Sequence, residues 1–370
     1  MNPAIAPLKA PTEHVVSQAL SKGFAALERN PSLEIFVKEV IGINAPRIAL
    51  ARSATEIFDV AVSETGNTLG FFGIGYGLDA LLKQVFKKTA TNTHGMAWSH
   101  LGKSYALFSV LFAWMWAMPF FRNAITAQKT GKTNFTDVIQ SQQQVGKVGS
   151  NAHKQDYAPE KTAEAFYRKG IIGMGLGILG ALAAIALTRG KAASGKPLGK
   201  IAQLFNKLSV ENGSFSKLKD VHALLFWGLP AYVGWMQAAR DKYEYKEWVL
   251  KFASFAFCFF VPKQIMKRVF QPKFEALLGK QVPATFEAIE RTLAKVPEKK
   301  QAALALWRKQ NVWGMLSSLV LLGISPAVLN RYLTQKRLEK DAHTEVSFSG
   351  FIPSGNLSKK SFRDFVSPAL

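Results

Sequence analysis

The chain has 370 residues, enough for two or three soluble domains or for one membrane bundle with its loops. It carries 47 Lys and Arg against 25 Asp and Glu, a net charge of +22, with 48% hydrophobic and 12% aromatic residues. That is too apolar for a disordered chain, and a single cysteine, Cys258, excludes a disulfide scaffold.

Residues 1 to 67 read as an amphipathic helical region. Pro11-Thr12 opens one helix, Pro31-Ser32 a second, and Ile48 to Val62 forms a third. The start lacks the basic and continuously apolar stretches of a signal peptide. With 6 basic and 7 acidic residues this region is nearly neutral, so the excess charge lies elsewhere.

From residue 68 to 338 the charge is segregated. Ser104 to Phe121, Gly170 to Thr188, Val221 to Ala239 and Gln310 to Asn330 are uncharged over 18, 19, 19 and 21 residues. A helix needs roughly 20 apolar residues to cross a hydrocarbon core about 30 Å thick. Tyr105, Trp227, Tyr232, Trp235 and Trp313 lie within these windows, and Arg122, Arg168, Lys169, Arg189, Arg240, Arg308, Lys309 and Arg331 stand just outside them. This is the pattern of aromatic belts and basic flanks at a membrane. Two shorter segments, near 68–86 with Asp79 and Lys83 and near 248–262 after Lys251, either cross or lie in the interface.

The expected fold is therefore all-α: a polytopic helical membrane protein with five or six segments near 68–86, 104–121, 170–188, 221–239, 248–262 and 310–330. Lys and Arg divide almost evenly between the two sides if all six cross, and favour a cytoplasmic N-terminus with five crossings if one of the short segments does not. Residues 122 to 169 read as a polar loop around Gln142 to Gln144, and 263 to 309 as two basic amphipathic helices split by Pro283 and Pro297. The Ser-, Gly- and Pro-rich tail, 339–370, reads as disordered.

Gly70, Gly73, Gly75 and Gly77 recur at the same spacing as Gly170, Gly173, Gly175 and Gly177, 100 residues on. Each run opens an apolar segment, and a later segment carries a proline, Pro119 or Pro230. Pro326 and the Asn330-Arg331 that follow loosely echo Arg122-Asn123. These features predict a repeated helical hairpin, its glycines serving close packing and its prolines kinking or ending helices. The mitochondrial carrier pattern is not met: only Pro262, Gln264 and Lys267 approach its proline–acid–base signature.

Few motifs carry chemistry. Gly175, Gly177 and Gly180 match GxGxxG, but no second strand or acidic residue follows where a dinucleotide fold requires them. Gly102-Lys103-Ser104 and Gly131-Lys132-Thr133 lack the leading glycine of a phosphate loop. The six histidines are scattered without metal-ligand spacing, and His222 reads as interfacial. No cofactor or metal and no catalytic residue is expected. Asp79 is the sharpest single residue: an acid in a membrane helix suggests a proton or cation site, whereas pairing with Lys83 one turn on, near the membrane edge, makes it structural.

Basic runs such as residues 189 to 219, seven basic against Glu211, suit anionic lipid, and no nucleic-acid reading module accompanies them. The reading is an integral membrane protein, non-enzymatic, that organises anionic lipid or assembles with a membrane partner or a second copy. The lack of charge in its apolar segments motivates this. A transporter or channel built from the hairpins is the alternative.

Overall fold

The computed structural model describes residues 11–87, 92–140, 158–195, 197–278 and 299–349. Every element among them is helical. The chain divides into two compact units, Met1–Asn330 and Arg331–Leu370. In the second, helix continues to Ser349, with Gln335 Nε2 donating to Glu339 Oε1 at 3.1 Å.

The first unit begins with α1 (Pro11–Arg29) and α2 (Pro31–Val37). Asn30 separates them: its side chain accepts the Leu33 N–H, an N-cap that offsets an orphan helix donor. A π-helical segment, Lys38–Asn44, leads into α3 (Ala45–Ala49). The third N-terminal helix does not run from Ile48 to Val62 as expected. The chain breaks at residues 50–53, and Ser53 caps a new helix, α4 (Ala54–Phe86), through the Glu56 N–H at 3.0 Å. α4 thus merges the N-terminal acids with the first glycine run.

Asn92 caps α5 (Thr93–Thr130), which ends at Gly131 with a left-handed φ of 69°. The expected loop 122–169 is therefore shorter: α5 occupies its start, α6 (Phe135–Ile139) follows, and α7 (Pro159–Ser194) takes its end. Gln142 to Gln144 lie outside the described residues. Beyond α7 come α8 (Lys200–Lys207), two short 3-10 turns, and α9 (Asp220–Ala223), a π segment Leu224–Gly228 and α10 (Leu229–Gln237) in continuous succession. α11 (Lys242–Leu278) runs through Pro262 and Pro272, and α12 (Lys300–Ser318), a π segment Leu319–Ile324 and α13 (Ser325–Ser349) complete the order. The Cys258 side chain, residues 279–298 with Pro283 and Pro297, and the tail from 350 lie outside the described structure.

α5 is the axis of the bundle. α4 and α7 both lie antiparallel to it, and their glycines set the approach. A Cβ placed on Gly70 would meet the Trp114 ring, on Gly170 the Phe121 ring, and on Gly173 the Trp116 ring. At Gly177 it would lie 2.2 Å from the Ala113 Cβ and 2.8 Å from the Ser109 carbonyl oxygen. Gly75 receives Phe215, while nothing lies within 4 Å of a Cβ at Gly73, Gly77 or Gly175. Gly66, outside the repeat, does the same work against Met118. α4 packs antiparallel on α5, α7 packs chiefly on α5 as well, and α10 packs along it where Gly234 meets the Trp116 backbone.

Among the described residues three helices are long and apolar enough to cross a membrane: Thr93–Thr130, Pro159–Ser194 and Gln301–Asp341. They contain the predicted segments 104–121, 170–188 and 310–330. Five or six was the expectation, and the other three segments fall short for visible reasons. The 68–86 stretch mixes glycines with Asp79 and Lys83, 221–239 lies in a short helical run, Asp220–Gln237, with Asp220, His222 and Gln237 at its ends, and 248–262 holds Lys251 within the long polar-ended α11.

Proline accounts for the π segments. Each ends one residue before a residue–proline pair: Ala45-Pro46, Leu229-Pro230 and Ser325-Pro326. Proline brings no N–H and its ring crowds the carbonyl four residues back, so the turn before it widens. Pro119, inside α5, is accommodated without such a segment. The first and third π segments pack together where a Cβ on Gly323 would collide with the Gly42 carbonyl oxygen and the Pro46 ring.

The glycine contacts give a paired prediction. Gly177→Ala should destabilise by about 1–3 kcal/mol through overpacking against the α5 backbone, whereas Gly175→Ala should be neutral or stabilise by up to about 1 kcal/mol. Thermal unfolding of the purified protein measures both, and equal shifts would refute the close α5–α7 approach.

Candidate functional site: a buried ion-pair cluster

The apolar segments are bordered by buried charge that sequence reasoning missed. Where the start of α4, the end of α5 and the α10–α11 turn converge, Asp59, Arg122 and Glu244 are 2%, 3% and 1% exposed, and the Arg240 side chain 1%. Arg122 follows directly on the uncharged stretch 104–121, so the cluster sits at one end of the apolar bundle.

Its geometry is nearly saturated. Arg122 Nη1 lies 3.1 Å from Asp59 Oδ2 and its Nη2 2.6 Å from Glu244 Oε1. Arg240 grips both acids: Nη1 and Nη2 donate to the Asp59 oxygens at 3.0 and 2.9 Å, Nε and Nη2 to Glu244 at 3.0 and 2.9 Å. Thr126 Oγ1 donates to Asp59 Oδ1 at 2.6 Å, and the Arg240 backbone N–H to Glu244 Oε2 at 2.7 Å. Asn123 accepts from Arg122 and donates to the Ala238 carbonyl, closing the α10 end onto α5. The Arg122 guanidinium also lies 4.3 Å from the Trp235 ring centroid, a cation–π contact. Two acids and two arginines make the set neutral. Burial alone would raise the Glu244 carboxyl, but the two arginines beside it outweigh that and hold it well below the usual carboxylate range.

Two wings extend the cluster. Arg52 pairs with Glu56 at 2.6 Å and with Glu247 at 2.9 Å, and Glu247 also meets Lys251 at 3.4 Å. Arg47, on α3, pairs with Glu64 at 2.7 Å and reaches the Tyr232 hydroxyl at 3.5 Å. Asn44, its amide oriented to donate to Glu64 Oε2 at 3.1 Å, accepts from Thr68 at 2.7 Å. Beside this wing Glu39, on the first π segment, is 3% exposed, and its Oε2 has no hydrogen-bond partner among the described residues. Burial, with the charge of Glu64 adding and Arg47 opposing, raises the Glu39 carboxyl well above its ordinary value.

Asp79 and Lys83 occupy the opposite end. Lys83 Nζ and Ser214 Oγ both lie 3.0 Å from Asp79 Oδ2, and the carboxyl is 3% exposed under the 210–217 turns. His222 is buried, not interfacial: its Nδ1 accepts the Lys219 N–H at 3.1 Å beside Phe108, capping α9. Pro119, Pro230 and Pro326 are all buried within or at the start of their helices. Among the described residues no group of three His, Cys, Asp or Glu is placed to hold a metal.

Chemically the cluster binds and positions. Each arginine has an acidic partner within hydrogen-bond reach, and no nucleophile stands beside a free base. The local hints in the sequence were the charged residues of the N-terminal region, of which Asp59 has partners 63 and 181 residues away and Arg52 one 195 residues away. No family model, no curated protein and no solved structure matches this chain. What stands, among the described residues, is an all-helical fold with three helices long and apolar enough to cross a membrane and a charge-neutral ionic cluster at one end of the bundle.

Removing one partner strands the others. Asp59→Ala should cost about 3–5 kcal/mol of stability, since two arginines then share one acid, read from denaturant midpoints. Glu39 has the opposite sign. Because its folded-state pKa is raised, its burial costs nothing below the unfolded pKa of about 4.3 and destabilises increasingly as pH rises above it. Glu39→Gln should therefore gain on wild type as pH rises from 4 towards 7 in thermal melts, and a difference that does not change with pH would contradict this assignment.

Proposed function

We propose that this chain is an integral membrane protein without a catalytic role, which organises anionic lipid or assembles with membrane partners. The supporting observation is the two-faced character of α7. One face carries Gly170, Gly173 and Gly177 against α5; the other exposes Ile171, Leu176, Leu179, Leu182 and Leu187. An exposed apolar face of this length, bordered by Arg168 and Lys169 at one end and Arg189 and Lys191 at the other, suits hydrocarbon between two layers of headgroups. Crossings by segments of α4, α10 or α11 beside the three long helices, five or six in all with the N-terminus cytoplasmic, belong to the same proposal.

The ionic cluster fits a structural role, holding the N-terminal region to the bundle ends. A carrier or channel is the second reading, favoured by the buried acid Glu39 on a π segment, since π turns recur at functional sites. Both cavities described in the first unit are lined mainly by apolar side chains, which favours lipid over a hydrophilic solute.

The full-length protein should stay in the membrane fraction through carbonate washing. After reconstitution its melting temperature should rise with the fraction of phosphatidylglycerol, and this gain should shrink as salt is raised. Release by carbonate would refute membrane integration; indifference to lipid charge would refute the anionic-lipid role.

A further inference from the structure

The open groove between α5, α7 and α8 is large, about 1270 Å³. Small-molecule pockets run to roughly 1,000 Å³, so the groove exceeds the usual metabolite site. Its floor is apolar: Leu101, Ala183, Ala184 and Leu187 from the long helices, Ile201 and Phe205 from α8. The hydroxyls that line it are already committed. Tyr105 donates to the Phe205 carbonyl at 3.1 Å, Ser109 to Tyr105 O at 2.8 Å, Thr188 to Ala184 O at 2.7 Å and Ser194 to Lys191 O at 3.0 Å. Hydroxyls bonded back to backbone carbonyls offer little to a polar ligand.

The rim has the opposite chemistry. Lys191 and Lys200 both line it, and from Arg189 to Lys207 the sequence holds five basic residues and no acid. Lys191 Nζ stands 4.6 Å from the centroid of Trp98, itself part of the lining. From Lys191 to Gly180, at the deep end, is 11 residues of helix, about 16 Å at a 1.5 Å rise. That is half of a hydrocarbon core about 30 Å thick, the depth of one leaflet. A second cavity, about 470 Å³, continues inward past Ser109 and Gly180 towards Gly173. Above the groove α8 turns Leu204 outward and Leu208 follows just past its end, 62% and 43% exposed, as in a helix lying in a membrane interface.

We propose that this groove is a binding site for one anionic diacyl phospholipid, its acyl chains against α5, α7 and α8 and its phosphate at Lys191 and Lys200. The proposal rests on the membrane reading above and adds a stoichiometric site to general contact with charged lipid. The tail and the head are selected by different parts: the floor accepts only hydrocarbon, and the rim places two ammonium groups at headgroup depth.

The test uses the full-length protein reconstituted with phosphatidylglycerol and phosphatidylcholine, purified with its retained lipid, and analysed by native mass spectrometry. Wild type should retain one phosphatidylglycerol per chain. Ala183→Trp, which fills the floor, should lose that lipid while vesicles containing the variant keep their salt-sensitive preference for anionic lipid. Lys191→Ala with Lys200→Ala, both at exposed positions that folding does not depend on, should keep a bound lipid but reduce the preference for phosphatidylglycerol about fivefold per lysine; Lys246→Ala, on α11, should leave it unchanged. Retention equal to wild type in Ala183→Trp, or an unchanged lipid ratio in the double lysine variant, overturns the groove assignment and leaves the membrane reading standing. Wild type that retains both lipids equally and shows no charge-dependent stability overturns both.

Discussion

The bundle depends on the neutrality of its buried ionic cluster. A carboxylate or guanidinium taken out of water costs several kcal/mol even after relaxation, and only a close, hydrogen-bonded partner offsets it. Asp59, Arg122, Arg240 and Glu244 meet that condition as a set of four. Satisfying it fixes three distant places at once: the first turns of α4, the end of α5's apolar stretch and the turn into α11. Asn123, bonded to Ala238, and Phe135, 5.7 Å from the Arg240 guanidinium, extend the constraint to α10 and α6. The absence of charge within the apolar segments does not extend to their ends: Arg122 and Arg240, directly after the uncharged windows 104–121 and 221–239, have their side chains buried where the helices still touch.

A second constraint is steric. Three prolines each leave one carbonyl without its helical donor, and the helices respond by widening rather than breaking. At the first of them the Gly42 carbonyl and the Pro46 ring face Gly323, where any side chain would collide with both. Two glycines at a crossing bring backbones close enough for Cα–H···O contacts. The glycine at the third π segment and the proline after the first are thus parts of one joint, although 280 residues of sequence separate Gly42 from Gly323 by the residue numbering.

Much of this was legible where it depends on local pattern. The uncharged windows 104–121, 170–188 and 310–330 fall in the three long apolar helices, and the starts at Pro11 and Pro31 follow from the first-turn preference of proline. The glycines at 70, 170, 173 and 177 meet aromatic or backbone partners on α5. The illegible part is long-range. Nothing near Asp59 shows that its partners are Arg122 and Arg240, 63 and 181 residues on, and nothing near Arg52 shows that it meets Glu247, 195 residues away. Likewise Ser53 as the true start of α4 competes with a plausible helical pattern through residue 50, and the cap prevails because the turn at 50–53 lets Arg52 reach Glu56 and Glu247. His222 was misplaced because burial by Phe108 comes from another helix.

The same cluster bears on the net charge. Burying acids and arginines as neutral sets removes as much positive as negative charge from the exterior, so the +22 of the chain is left on its surface and ends. Enclosed with Arg122 and Arg240, Asp59 and Glu244 add no negative charge to the exterior, and in the second half of the chain Arg189, Lys191, Lys200 and Lys207 stand with no acid among them until Glu211. Internal neutrality and external basicity are therefore one arrangement: the bundle holds its acids within, and the excess of lysine and arginine stays outside.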